Sequence, residues 1–326
     1  MNPIQYRVCR RSIRHAKIRL QCCCRFAVLV GIIGLANGCG SGNQECVVIY
    51  TSQDQVHSQP ILQHFQAISG IRTRVVYDSE AVKTVALAKR LLAEKSHPQC
   101  DLFWNNEEFR TRQLRAEGVF QSPHGGSVFG SRSRHIVFNT NYVSAANAPT
   151  RLDQLIDTKW KHRVALAYPL FGSTATHFLV LNQRWGEVKW LHWCRSLQDN
   201  QPLIVDGNSQ VVQLVGRGEA WIGLTDSDDV AAGRRNGLPL ASRPLGQDGL
   251  TIRNSVALVR NAPHPRNARR LMEYLLSQET QDRLAAAGAI QRRPDPATPS
   301  PDAIDWEQLL ESQEGAISQL KEIFFR

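Results

Sequence analysis

The sequence predicts an α/β fold with a mainly parallel sheet and helices on both of its faces. The first observation behind this prediction is that short apolar runs alternate with amphipathic segments of helical length from Cys46 onward. Such an alternation is typical of strands joined by crossover helices. The second is a composition of 42% hydrophobic and 21% charged residues, which matches a globular chain rather than a disordered one. With 326 residues, the chain is long enough for two domains.

The first part of the chain is predicted to hold three strand–helix pairs. The predicted strands are 46–50, 72–77 and 101–104, and the predicted helices are 59–69, 82–94 and 107–117. Each helix has apolar residues at helical spacing on one face, and a glycine ends the first and the third. Ligands of such sheets bind beyond the carboxyl ends of the strands, so binding residues are expected in loops 51–55, 78–81 and 105–108.

The same alternation continues to the end of the chain. The predicted strands are 134–138, 163–167, 202–205, 221–224 and 254–259, and the predicted helices are 150–155, 174–185, 189–197, 209–216, 265–276 and 304–325. Prolines at 294, 296, 299 and 301 predict a stiff connector before the last helix. Strand 221–224 leads into Asp226, Asp228 and Asp229, three carboxylates that we expect on one loop.

Residues 1–38 are predicted to be an export signal rather than part of the fold. They combine seven basic and no acidic residues with the apolar run 26–35, as a secretory signal does. This run is shorter than the roughly 20 residues of a membrane-spanning helix. Because the segment carries most of the net charge of +10, the rest of the chain is only weakly basic, and nucleic acid is not an expected partner.

The cysteines Cys46, Cys100 and Cys194 remain in the body of the chain after this segment. No CxxC pair and no Cys/His spacing of a zinc site is present, so no structural metal is predicted. Cys46 stands four residues before Tyr50, and Cys100 four before Trp104. If their strands are parallel neighbours, Cys46 and Cys100 lie level and could form a disulfide, which exported compartments permit. Two buried free thiols are the alternative.

Six segments in chain order carry a resemblance to a known family. They are 47–52, 69–71, 99–103, 130–139, 218–224 and 262–277. The chain resembles the extracellular solute-binding proteins of ABC importers, in the branch with ferric-iron-binding and phosphonate-binding members. The resemblance covers nearly everything from about residue 46 onward.

This resemblance implies a two-lobed fold of the type II periplasmic-binding-protein class. Each lobe would be a mainly parallel sheet flanked by helices, and crossover strands would join the two. Lobe 1 would be 46–136 plus 250–284, and lobe 2 would be 137–249 plus 285–326. The lobes would close on a solute, which is a shift between open and closed populations.

The function that the resemblance implies is capture of a small solute by a monomer and its delivery to an ABC-importer permease. Iron or another metal cation, held with or without a synergistic anion, is the first expectation, and this metal would be cargo rather than a resident cofactor. A small organic zwitterion or anion such as an aminophosphonate, or a cationic amine, is the alternative. We do not expect an enzyme, because no G-x-S-x-G, H-E-x-x-H or nucleotide-binding glycine loop is present.

Residues 36–39, Ala-Asn-Gly-Cys, are similar to a bacterial lipoprotein cleavage site. This similarity implies a lipid on Cys39 and a flexible tether over 39–45. The protein would then be exported and held at the membrane, on the periplasmic or cell-surface side. Plain secretion and an uncleaved anchor are the alternatives.

Ferric members of the family place tyrosines on the loop that follows the strand matched here by 221–224. Asp228 and Asp229 stand at those positions. Carboxylate oxygens suit hard cations, so these two residues are candidate metal ligands. Glu107 could add another oxygen ligand. The alternative is that these acids, with Asp226, cap helices and stabilise their amino ends.

Other candidate contacts suit a polar or anionic solute. They are Ser52, Gln53 and Asp54 after the first strand, Arg132 on the crossover, Ser173 and Thr174 at one helix start, Asn208 at another, and Asp226. A guanidinium can clamp a carboxylate or phosphonate, and helix starts offer N–H groups to anions. Ordinary turn formation and helix capping are the alternatives.

Overall fold

The computed structural model describes residues 45–78, 85–121, 127–291 and 303–325. The predicted export signal 1–38, Cys39 with nearly all of the tether, and the proline connector lie outside these residues. The described residues belong to one compact unit. Within them, no helix is both long enough and apolar enough to cross a membrane.

Nine strands of the described residues form one mixed sheet. The strands are β1 (Cys46–Thr51), β2 (Arg72–Tyr77), β3 (Leu102–Asn105), β4 (Ser127–Asn139), β5 (Val164–Ala167), β6 (Leu203–Val205), β7 (Ile222–Asp226), β8 (Leu240–Pro244) and β9 (Thr251–Leu258). The helices that flank it are α1 (Gln55–Ser69), α2 (Val85–Ala93), α3 (Glu108–Ala116), α4 (Gly172–Trp185), α5 (Glu187–Asp199), α6 (Asn208–Gly216), α7 (Ser227–Arg235), α8 (Pro265–Leu276), α9 (Gln278–Ala286) and α10 (Trp306–Phe324). Short 3-10 helices cover Leu152–Ile156, Thr158–Trp160 and Gly246–Asp248.

Two groups of parallel strands make up this sheet. The strand order is β2-β1-β3-β9-β4-β7-β5-β6, and β8 pairs with β4. β1 runs parallel to β2 and β3, while β5 runs parallel to β6 and β7. The antiparallel strands β4 and β9 join the two groups, and β4 is 13 residues long because it pairs with β9 first and with β7 and β8 later. The expected parallel groups with crossover strands are therefore confirmed.

Apolar side chains cover both faces of the sheet, as a parallel sheet between helices requires. Val47, Ile49 and Leu102 pack in one cluster, while Tyr50 and Phe103 pack in another. Successive residues of a strand point to opposite faces, so these two clusters lie on opposite sides of the sheet. A further cluster around β5 and β7 includes the buried side chains of α10.

The boundary between β7 and α7 differs from the prediction in a way that matters for function. β7 continues to Asp226, and α7 begins at Ser227. Asp226 therefore ends a strand, whereas Asp228 and Asp229 lie in the first turn of a helix. The three acids do not share a loop. β7 extends this far because it pairs antiparallel with β4 as far as Arg134 opposite Asp226, a long-range contact that the local sequence does not reveal.

Cys46 and Cys100 are free thiols in the structure. Their strands are indeed parallel neighbours, but Tyr50 pairs with Phe103 rather than with Trp104. The two cysteines are therefore not level in the sheet. Cys46 contacts His264, while the Cys100 thiol lies 3.2 Å from the Leu102 carbonyl oxygen. The predicted disulfide is wrong, and the alternative of two buried thiols is what the structure has.

Candidate functional site

A cleft lies at the carboxyl ends of β1, β3, β5, β6 and β7, where open α/β sheets bind ligands. Its water-accessible volume is about 40 Å³, enough for about three waters or an ion with part of its hydration shell. The lining residues are Asp54, Asn106, Arg132, Ala167, Phe171, Gly172, Ser173, Thr174, Asp206, Gly207, Asn208, Asp226, Asp228 and Asp229. Most of the candidate contacts named from the sequence thus line one cleft.

Asp226 is the centre of a buried hydrogen-bond network at the floor of this cleft. Arg132 donates to its Oδ2 atom through Nε at 2.9 Å, and Arg134 donates to its Oδ1 atom through Nη1 at 2.6 Å. Ser173 and Asn208 also donate to Oδ2, at 2.7 Å and 3.1 Å. All four partners lie on other elements, so this one carboxylate joins β4, α4 and α6 to the end of β7.

The charge of Asp226 is fixed by this network. Burial by itself would raise the pKa of Asp226, but the charges of Arg134 and then Arg132 outweigh it and lower that pKa. Asp226 stands at the N-cap position of α7, yet its side chain makes no capping bond. Its oxygens thus accept from two arginines, Ser173 and Asn208, and the alternative role of a cap is not what the structure has. Its direct contact with solute stays a prediction.

Asp228 has the opposite electrostatic situation. Its side chain is 13% exposed, and its Oδ1 atom lies 3.7 Å from Arg132 Nε but has no hydrogen-bond partner among the described residues. Burial raises the pKa of Asp228 to about 7; Arg132 opposes this shift, whereas Asp226 and Asp54 add to it. Asp228 is therefore a carboxyl group whose charge Arg132 compensates only in part.

Asp229 joins Asp226 and Asp228 in the one cluster of the described residues that could hold a metal ion. One ligand atom from each residue lies within 4.8 Å of the others. Because Asp226 is already held by arginines, Asp228 and Asp229 are the members that could turn to a cation. Glu107, the third predicted metal ligand, is not in this cluster.

Two further helices begin at the cleft. Ser173 and Thr174 lie in the first turn of α4, and Asn208 is the first residue of α6. Neither N-cap residue, Phe171 or Gly207, makes a side-chain capping bond. The first N–H groups of these helices are consequently not capped in the usual way, and helix amino ends favour anions.

Ser52, Gln53 and Glu107 do not line the cleft. The Ser52 hydroxyl is buried and lies within hydrogen-bonding distance of the side-chain oxygens of Asn105 and Asn106. The Glu107 carboxylate caps α3 by accepting from the backbone N–H groups of Phe109 and Arg110, and it also accepts from Thr176. Burial raises the pKa of Glu107, and these N–H groups partly offset the shift. For Glu107 the alternative of helix capping is the one observed.

Arg134 is the site residue that the sequence analysis missed. It is completely buried beneath the cleft and donates to Asp226, Asn208 and Ser173. Within the part of the chain that the structure describes, two of its nitrogens, Nε and Nη2, have no hydrogen-bond partner. A signal for it exists, since residues two apart on a strand share a face, and Arg134 therefore points the same way as Arg132.

Residues 54–289 match the family model described as bacterial extracellular solute-binding protein. The chain belongs to this family. The matched range contains every residue that lines the cleft. The family consists of solute-binding proteins rather than enzymes, so the cleft of this extracellular solute-binding protein is where a solute is expected.

Two known relatives are similar along most of their length. Iron uptake protein A1 of Synechocystis sp. is 24% identical over 301 residues, which cover 80% of this chain and 81% of the relative. The putative 2-aminoethylphosphonate-binding periplasmic protein of Salmonella typhimurium is 24% identical over 265 residues, covering 74% and 77%. The resemblance to the ferric and phosphonate branch is thereby confirmed.

A solved structure supports the fold. Iron-bound HitA from Pseudomonas aeruginosa superposes with a TM-score of 0.74 at 18% identity, covering 86% of this chain and 99% of that one. At this identity the likeness shows the fold alone, and it confirms the type II periplasmic-binding-protein architecture for this solute-binding protein.

Proposed function

We propose that this solute-binding protein delivers a hard metal cation, iron or a similar ion, to an ABC-importer permease. The observation that carries this proposal is the uncompensated negative charge of the cleft. Five aspartates line it against one arginine, and Arg134 beneath it is already paired with Asp226. A bound cation would neutralise acids that at present oppose one another.

The ligand atoms would come from Asp228 and Asp229 in the first turn of α7, with Asp54 at the end of β1. Hard cations prefer carboxylate oxygens, and several oxygen ligands can gather around one ion. The uncapped starts of α4 and α6 could hold a small synergistic anion beside the ion. The iron-related names of the relative from Synechocystis sp. and of HitA are consistent with this cargo.

A zwitterion such as an aminophosphonate is the second candidate function. The same cleft has acidic groups for an ammonium and uncapped helix starts for a phosphonate. The name of the relative from Salmonella typhimurium points to this class of solute. A purely anionic solute is disfavoured, because Asp228 and Asp229 would repel it.

Thermal unfolding in the presence of candidate solutes separates these functions. A ligand that binds the folded state at 100 times its Kd stabilises it by about 2.7 kcal/mol and so raises Tm. The solutes are ferric citrate, citrate alone, divalent metals, 2-aminoethylphosphonate and phosphate. We expect a metal to raise Tm in the natural protein and not in the double variant Asp228→Asn, Asp229→Asn.

The double variant Asp153→Asn, Asp157→Asn is the matched control. It removes two exposed aspartates four residues apart, whose ion pairs with Arg151 and Lys159 are surface pairs of little energetic weight. This control should respond to metal like the natural protein. If no metal raises Tm while 2-aminoethylphosphonate does, the second candidate replaces the first.

The cellular location of the protein is part of the same proposal. We infer that the chain is exported, lipidated on Cys39 and held as a monomer at the membrane, because the sequence before Cys39 has the features of a lipoprotein signal. Substituting Cys39→Ser should move the protein from the membrane fraction to the soluble fraction. An unchanged distribution would remove the lipid anchor from the proposal.

A further inference from the structure

A second cluster of reactive side chains lies at the amino ends of β1 and β3, whereas the cleft lies at the carboxyl ends of these strands. Cys46 begins β1, Asp101 precedes β3, and His264 stands at the N-cap position of α8. The cleft lies beyond the other end of β1, about 20 Å away for a six-residue strand. This cluster is therefore separate from the proposed solute site.

The three side chains are arranged as a nucleophile, a base and a group that orients the base. Cys46 Sγ lies 3.4 Å from His264 Nε2, and His264 Nδ1 lies 2.9 Å from Asp101 Oδ2. Asp101 is fully buried and also accepts from the backbone N–H groups of His264 and Val48, at 2.6 Å and 2.7 Å. Its position is thus fixed by three hydrogen bonds.

This geometry decides which nitrogen of His264 carries the proton. A carboxylate only accepts hydrogen bonds, so the Nδ1 atom that faces Asp101 must be the donor. In the neutral ring the Nε2 atom then has a lone pair, and this lone pair faces the Cys46 sulfur. The thiol of Cys46 can pass its proton to Nε2, and the Asp101 carboxylate stabilises the imidazolium that results.

The described cysteines differ in access and in surroundings. The Cys46 residue is 9% exposed and the side chain of His264, which contacts it, is 36% exposed, so this pair lies nearer to solvent than the other two thiols. Cys100 and Cys194 are 1% and 0% exposed, and burial raises the pKa of both thiols. Among the described residues, no base is paired with either of these two thiols. Cys46 is the one among the three with a partner that can activate it.

We propose that Cys46 is an activated thiol and a site of reversible modification by low-molecular-weight disulfides. His264 takes the thiol proton, and the Cys46 thiolate attacks one sulfur of the disulfide. A bond forms between Cys46 and that sulfur, the original disulfide bond breaks, and the released thiolate takes the proton from His264. No net oxidant is required, since the incoming disulfide supplies the oxidising equivalents.

Rates of modification at each cysteine test this proposal on the full chain. The protein is treated with iodoacetamide, or separately with oxidised glutathione, and each cysteine-containing peptide is quantified by mass spectrometry over time. At pH 7 we expect Cys46 to react at least about tenfold faster than in the variant His264→Phe, because a positioned base typically contributes 10²-fold or more. Cys46 should also react far faster than Cys100 and Cys194.

The pH profile distinguishes activation from simple exposure. The charged groups around the thiol are Asp101, His264 and Glu45, the last of which pairs with Arg270 at 3.8 Å. In His264→Phe the rate should fall steeply as pH falls, because only the thiolate reacts. The natural protein should keep a higher Cys46 rate over the same range, because His264 accepts the proton of the thiol as it reacts.

His97→Phe is the control for this experiment, and Asp101→Asn is a second test of the proposal. His97→Phe alters an exposed histidine elsewhere and should leave the Cys46 rate unchanged. Asp101→Asn should slow Cys46 because the amide can orient His264 in the wrong tautomer, provided that Tm shows the variant to be folded. Equal Cys46 rates in the natural protein and in His264→Phe would overturn the proposal and leave the three residues a purely structural role at the start of α8.

Discussion

Asp228 is the side chain that lowers the stability of the empty protein while it serves the proposed binding of a cation. It lies close to Asp226, and its pKa is raised to about 7, by burial first and then by the charges of Asp226 and Asp54. Arg132 could balance it, but that guanidinium already donates to Asp226. A carboxyl group that is compensated only in part destabilises the empty protein and strengthens its attraction for a cation. Functional sites commonly contain such groups.

Asp228→Asn should therefore stabilise the protein without solute at high pH. The pKa of Asp228 is higher in the folded state than the ordinary value of about 3.9, so its contribution to stability is complete below about pH 4 and is lost as pH rises to about 7. Asn removes this loss. We expect a gain on the order of 1–2 kcal/mol in the free energy of unfolding at pH 8, and almost none at pH 4.

Urea unfolding at the two pH values measures this gain. The exposed Asp199 provides the control, because Asp199→Asn should change the free energy of unfolding little at either pH. A variant Asp228→Asn that loses stability at pH 8, or that keeps the pH dependence of the natural protein, would contradict the pKa shift at this residue.

At the residue scale, the sequence predicted which residues line the cleft better than it predicted the role of each residue there. Asp54, Arg132 and Asp228 line the cleft as predicted, because strand ends and helix starts can be located from local patterns. The partners could not be located in this way. Asp226 is held by Arg134, 92 positions away, and Glu107 accepts from Thr176, 69 positions away. Such pairings depend on the fold, and they decide which carboxyl groups are already occupied.

At the scale of elements, α10 is the helix that links the two parts of the sheet. It contacts α3, which follows β3, and it also packs against α4 and α5. Trp306, Leu309, Leu320 and Phe324 are buried in the cluster around β5 and β7. Phe109 of α3 lies 6.5 Å from Trp306, measured between ring centroids. The helix therefore contributes apolar packing to both parts.

Leu320→Ala should cost about 2–5 kcal/mol of stability, because its side chain is fully buried and the lost contacts leave a cavity. Urea unfolding checks this value. Glu314→Ala on an exposed position of the same helix is the matched control, and it should change stability by no more than about 0.5 kcal/mol. Similar losses in the two variants would mean that α10 is not part of the cooperative core.

Elements with a strong local pattern could be predicted closely, whereas those defined by pairing could not. β2 and α8 have the predicted bounds, since apolar spacing and flanking Gly or Pro mark their ends. β8 was not expected, and β4 begins seven residues before the predicted strand 134–138. Both exist because long-range partners complete their hydrogen bonds, β8 with β4 and the first part of β4 with β9.

For the whole molecule, the cleft draws on both parallel groups of strands. Asp54 follows β1, while Asp228 and Asp229 begin the helix after β7. Both acids line the cleft, and the charge of Asp54 contributes to the raised pKa of Asp228. A cation between them would be held from both groups at once. Binding can shift a conformational equilibrium only through contacts that differ between the two states.

We therefore expect a bound metal to make the protein more compact and expect this effect to need Asp54. Small-angle X-ray scattering should show a smaller radius of gyration with the metal that raises Tm than without it. In Asp54→Asn the metal should still bind through Asp228 and Asp229, with lower affinity, but compaction should be lost because one group of strands no longer contacts the ion.

Calorimetry on the same samples confirms that the metal occupies the site. The control variant with Asp153→Asn and Asp157→Asn should compact like the natural protein. Full compaction of a metal-saturated Asp54→Asn variant would show that the ion is held from the α7 side alone and that closure does not depend on β1.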